Sequence, residues 1–102
     1  MRYFNNGPTF PLGEILISPG VIQLGIDLMP LLRRHQECDW SHLSAEDVAL
    51  NNHALENGEA ILVQYHVTTH LRESVMITIM TEEDRSYTVI CIDGEPAMLP
   101  AG

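Results

Sequence analysis

Ser74-Val75-Met76-Ile77-Thr78-Ile79-Met80, then Thr81-Glu82-Glu83-Asp84-Arg85, then Ser86-Tyr87-Thr88-Val89-Ile90-Cys91-Ile92 is the stretch that decides the fold. Both flanks are rich in β-branched and aromatic residues, and the five residues between them are polar and charged. That pattern predicts a β-hairpin with a charged tip. In the first arm Val75, Ile77 and Ile79 share one face, while Met76, Thr78 and Met80 share the other. A strand alternates its side chains, so the first face is the buried one.

Upstream, Ala60 to Val67 alternates cleanly. Ile61, Val63, Tyr65 and Val67 fall on one face; Leu62, Gln64 and His66 fall on the other. The polar connection Thr68 to Glu73 is short, and short connections join antiparallel neighbours. The expected unit is a three-stranded antiparallel meander at the C-terminal end. Leu12 to Ile17 reads as a short fourth strand or an extended lead-in. This segment and the last strand are the expected sheet edges, open to pairing within the chain or across a homodimer.

Three short helices lie between. Ser18-Pro19 opens the first, serine capping and proline filling a position whose N–H has no partner, and Gly25 closes it. Asp27 is the expected cap of the second, Leu28 to about Gln36, with Leu28, Leu31, Leu32 and His35 at i, i+3, i+4, i+7. Ser44 and Asp47 form a capping box for the third, Leu43 can staple against Val48, and Asn57-Gly58 ends it. Its expected inward stripe is Ala45, Val48, Ala49, Asn52 and Leu55. A sheet with one apolar face needs cover, and the helices supply it. The predicted class is α+β: three short helices on one face of a three- to four-stranded antiparallel sheet. Residues 1–11, rich in Asn, Gly and Pro, read as a loosely held arm, 12–93 as one domain and 94–102 as a tail.

The 102 residues suffice for one core. The net charge is −9, and all five basic residues are arginine. Such a surface repels phosphate backbones and anionic lipid, which argues against direct nucleic-acid or membrane binding; it serves solubility alone or suits a basic partner. No apolar run approaches the roughly 18 residues of a membrane span. The N-terminal stretch has no continuous apolar segment of the signal-peptide kind, and two cysteines make no disulfide framework, so a cytoplasmic location with reduced thiols is expected.

Few residues carry recognisable chemistry, and no cofactor is implied. His35, Cys38 and His42 have side chains that bind zinc, but their spacing matches no standard finger. Cys38 with His35 or His42 as base is a conceivable nucleophile, though catalytic pairs meet in space rather than in sequence. Trp40 can anchor a partner or close the core with its indole N–H bonded nearby. At the hairpin tip, Glu82 and Asp84 can move protons while Arg85 clamps an anion. Hairpin tips are also charged simply because they face water.

At Phe10-Pro11-Leu12-Gly13, Ser18-Pro19-Gly20, Asp39-Trp40, Asp47, Asn51, Ala54-Leu55 with Gly58, and Tyr65, the chain resembles a family of short bacterial proteins. The most specific part is Thr81-Glu82, Asp84-Arg85-Ser86 and Thr88. These proteins belong to plasmids and other mobile elements and are described as plasmid-related or, loosely, as type I restriction subunits. The resemblance spans about residues 10–92 and implies no established activity. It does select Asp39, Trp40, Tyr65, Thr81, Glu82, Asp84, Arg85 and Thr88 as candidate binding residues. The family's Gly-Asp-Trp-Gly-Asp-Leu pattern is broken here by Cys38, Ser41 and His42, and its Leu-Pro-acidic-Tyr ending is absent. The chain is too short for the usual cofactor-binding domain of a methyltransferase. Two readings follow. One is a non-enzymatic interaction factor of a mobile element that masks a basic nucleic-acid enzyme. The other is a small hydrolase of RNA or nucleotides centred on Glu82, Asp84 and Arg85.

Overall fold

The structure is a computed structural model that describes residues 10–95; of the expected arm over 1–11 and tail over 94–102, residues 1–9 and 96–102 lie outside the described residues. Its elements run β1 (Glu14–Ile17), α1 (Pro19–Leu24), α2 (Met29–Gln36), α3 (Ala45–Asn57), β2 (Ile61–Thr68), β3 (Ser74–Thr81) and β4 (Tyr87–Ile92). The hairpin and the meander form as the alternation demands. Ile61 pairs with Thr81 and Tyr65 with Ile77 across β2 and β3, while Ile79 pairs with Ile90 across β3 and β4. One face therefore gathers Ile61, Val63, Tyr65, Ile77, Ile79 and Ile90, all fully or almost fully buried. Each such aliphatic side chain contributes roughly 1.5–3 kcal/mol on leaving water.

The sheet is mixed rather than wholly antiparallel. Its order is β1-β4-β3-β2, and β1 runs parallel to β4. β4 is thus an inner strand, and the edges are β1 and β2. The physical reason is the length of the connection. From Ser18 to Ala60 the chain passes through all three helices to β2, parallel to β1 at the far edge, as such a crossover allows, and the meander then brings β4 back beside β1. Ile15 pairs with Thr88 and Ile17 with Ile90, which turns both isoleucines to the covered face. The Ser18 amide extends the ladder by donating to the Ile90 carbonyl at 3.0 Å.

The helices start where their caps predict. Ser18 Oγ accepts from the Val21 amide, and Ser44 Oγ accepts from the Asp47 amide. Asp27 accepts from the Met29 amide, although α2 itself begins one residue later than the expected cap allows, with Leu28 at its N-cap. Glu95 ties α1 to the end of β4. Its carboxylate accepts from the Ser18 hydroxyl at 2.6 Å, the Gly20 amide at 3.1 Å and the Ile92 amide at 2.8 Å. The Ser18 bond leads the set of contacts that holds this carboxyl below the usual glutamate range.

α3 is rotated from its expected orientation. Val48, Asn51, Ala54 and Leu55 face inward, while Ala45, Ala49 and Asn52 are exposed. The helix is so weakly amphipathic that contact with β2 sets its rotation, and the small Ala54 lets the two backbones approach. Trp40 closes the core between α2 and α3 as expected, but its indole N–H, expected to be bonded nearby, has no partner among the described residues. Phe10, placed with the arm from sequence, is buried in the same core.

Candidate functional site

The hairpin tip is a self-bonded turn. Arg85 adopts a left-handed backbone with φ 62°, and its amide donates to the Glu82 carbonyl at 2.9 Å. Asp84 Oδ1 accepts from both the amide and the hydroxyl of Ser86, and the hydroxyl bond chiefly holds the Asp84 carboxyl low. The Tyr87 hydroxyl donates to Glu82 Oε2 at 2.9 Å, and that bond chiefly raises the phenol's pKa. Arg85 Nη1 reaches two backbone carbonyls, Glu59 at 2.7 Å and Glu82 at 3.0 Å, and the guanidinium lies 5.5 Å from the Phe10 ring centre. To hold a phosphate, Nη1 must first leave both carbonyls. Gly13 packs so close beneath the tip that a Cβ there would strike the Ser86 backbone.

Thr81 and Thr88 sit behind the tip, paired across the strands and fully buried. Their hydroxyls join a chain whose polarity is fixed at one end. The Leu12 carbonyl can only accept, so Thr88 donates to it at 2.7 Å. Thr81 then donates to Thr88 at 2.7 Å, and His35 Nε2–H donates to Thr81 at 2.9 Å. Nδ1 is buried and unpartnered, an environment that suits the bare nitrogen of the neutral ring. Burial, aided by the Arg85 charge, lowers the His35 pKa to about 4. Phe10 meets this ring edge-on, with centroids 5.3 Å apart.

A second cluster forms around Tyr65. The Arg34 guanidinium lies 4.6 Å from the Tyr65 ring centre and pairs with Asp39 at 3.0 Å. The His42 ring stacks on Tyr65 at 4.7 Å between centroids. Asp39 also accepts from the Ser41 hydroxyl at 2.9 Å, which is the foremost cause of its low pKa. Burial pushes the Tyr65 phenol up. Asp39, Trp40 and Tyr65 are thus brought together, apart from the tip residues, which meet the start of β2 through Glu59. The sequence's zinc candidates do not converge. His35 points into the threonine chain, and His42 Nε2–H donates to the Gln64 carbonyl at 2.8 Å. Among the described residues no three His, Cys, Asp or Glu side chains could share a metal ion.

The site that sequence reasoning missed is a groove of about 400 Å³ between α3 and the free edge of β2. Asp47, Leu50, Asn51, Glu59, Leu62 and Gln64 line it. Leu50 and Leu62 are 68% and 52% exposed, among the most exposed large apolar side chains described. Asn51 is only 7% exposed, and its side-chain amide makes no hydrogen bond to a described residue. The polar atoms fully enclosed without a partner lie elsewhere, at His35 Nδ1 and Trp40 Nε1.

Compared with family models, curated proteins and solved structures, the chain shows no match. Function has to be read from the geometry alone. The groove left two traces in the sequence: a leucine on each flanking element outside the apolar stripes, and the Asp47 and Asn51 positions already singled out by resemblance. Neither trace reveals that α3 and β2 lie side by side.

Proposed function

We propose that this protein is a non-enzymatic interaction factor that occupies a basic surface of another protein. The observation that carries the reading is the state of its carboxylates. Of 14 acidic residues, only Asp39 pairs with an arginine among the described residues, Arg34, and Glu59 meets His53 at 3.2 Å. Arg85 is turned to backbone carbonyls rather than to acids. Most of the negative charge is therefore uncompensated and available to a partner. In its sharper form the partner is a basic nucleic-acid enzyme of the host or of a mobile element, and the acidic surface takes the place of phosphate. No described helix is long and apolar enough to cross a membrane.

Charge-led binding weakens with salt, because exposed charges are screened over about 10 Å at 0.1 M. A tagged pull-down from host lysate, eluted along a salt gradient and read by mass spectrometry, tests the reading. A basic nucleic-acid enzyme released at moderate salt supports it. A purified pair whose affinity is the same at low and high salt contradicts it.

A further inference from the structure

Resting on that reading, we infer that the partner contributes a short, extended, basic segment that adds as a fifth strand to the open edge of β2 and seats its side chains in the groove beside α3. The edge is identified by the ladder. The Glu82 amide bonds the Tyr87 carbonyl, so the pairing polarity alternates from there: Met80 faces β4, Thr81 faces β2. Ile61, opposite Thr81, then faces β3, and Ala60, Leu62 and Gln64 turn their backbone N–H and C=O groups outward. The His42 bond to the Gln64 carbonyl agrees, since that oxygen lies on the outer side.

An edge of this kind is a template for another strand, and a helix alongside it makes a slot for alternate side chains of the added segment. α3 supplies that helix. Leu50 and Leu62 offer apolar contact at the mouth of the slot. The Asn51 side-chain amide, on the groove wall and without a bond to any described residue, has both a donor and an acceptor to give to an extended backbone. The charge of the segment follows from the rim. Among the described residues Asp47 pairs with no cation and the Glu59 carboxylate meets only His53, while Arg85, at the end of the groove, is held on the Glu59 and Glu82 carbonyls. His42 occupies the Gln64 carbonyl, so pairing stops there and involves a few residues around Ala60 to Gln64. An RNA or DNA strand is disfavoured by the same rim carboxylates.

The test uses the full chain, labelled for backbone-amide NMR, and an acetylated, amidated heptapeptide of alternating arginine and valine. The expected result is shifts and exchange protection at the Leu62 and Gln64 amides together with shifts of the Asn51 side-chain amide. Asn51→Ala should weaken binding about fivefold, the loss of one hydrogen bond. A peptide N-methylated at alternate residues, which keeps its charge but cannot pair as a strand, should lose binding. Equal binding by both peptides overturns strand addition while leaving the charge-led reading intact. Binding by neither at low salt overturns both. Shifts of the same edge amides with protein concentration alone, in the absence of peptide, would show that a second copy is the occupant and also overturn the inference.

Discussion

The hairpin tip and the groove, both beside the first half of β2, are built differently. At the tip, most polar groups find a partner inside the protein: Asp84 in Ser86, Glu82 in Tyr87, Arg85 in two carbonyls, and Thr81 in Thr88 and His35 Nε2, while His35 Nδ1 is buried without one. Along the groove the reverse holds. Among the described residues Asn51 makes no side-chain hydrogen bond and Asp47 pairs with no cation, Leu50 and Leu62 stand in water, and the Leu62 backbone groups face outward. The tip residues thus bond largely among themselves, and those of the groove do not. Groups without an internal bond are where a binding surface has something to gain.

The comparison can be broken first through pH. His35 is neutral and buried, with a pKa near 4 against 6.5 for the free residue. Between those values the unfolded chain binds the extra proton and the folded chain does not, so stability is full above pH 6.5 and falls as pH drops toward 4. The fall is on the order of 3 kcal/mol if the whole difference is realised. Denaturant titrations across that range check it, and His35→Gln should flatten the slope. Asp39, Asp84 and Glu95, whose carboxyls are held low, add a further loss only below their ordinary range near pH 4. These three are largely exposed, so their share is small.

Next in size is Thr81→Val, which keeps the shape and leaves His35 Nε2–H and the Thr88 hydroxyl short of a bond. A loss of about 1–3 kcal/mol is expected, a drop of several degrees or more in Tm by calorimetry. Arg85→Ala frees the Glu59 and Glu82 carbonyls, which water can reach, so the expected loss is smaller, about 1 kcal/mol. That variant also separates the tip's two readings. Lost stability marks the arginine as architectural; unchanged stability with loss of a hydrolytic activity on RNA or nucleotides would place function at the tip. The smallest effect is expected of Asn51→Ala. No internal bond is lost and alanine is the better helix former, so stability should hold or rise by about 0.5 kcal/mol.

Much of the fold was legible from pattern. The alternation of Ile61, Val63 and Tyr65, and of Val75, Ile77 and Ile79, marks the covered face, and Ser18 and Ser44 mark two helix starts. The parallel pairing of β1 with β4 was not legible, because period and turn chemistry say nothing of which distant strands meet. The rotation of α3 escaped for a related reason: in Leu50-Asn51-Asn52-His53-Ala54 no face is decisively apolar, and tertiary contact chose Asn51 over Asn52. The motif around Thr81 and Thr88 was recognisable as a pattern. That its threonines form a buried wire from His35 to Leu12 depends on contacts 46 and 76 residues apart in the chain.

The most direct test sets Arg85→Ala beside Asn51→Ala, measuring for each the unfolding free energy and the affinity for the alternating arginine–valine peptide. Arg85→Ala should lose stability and keep binding; Asn51→Ala should keep stability and lose binding about fivefold. The opposite pattern, with affinity lost at Arg85 and stability lost at Asn51, would contradict the division between a closed tip and an open groove.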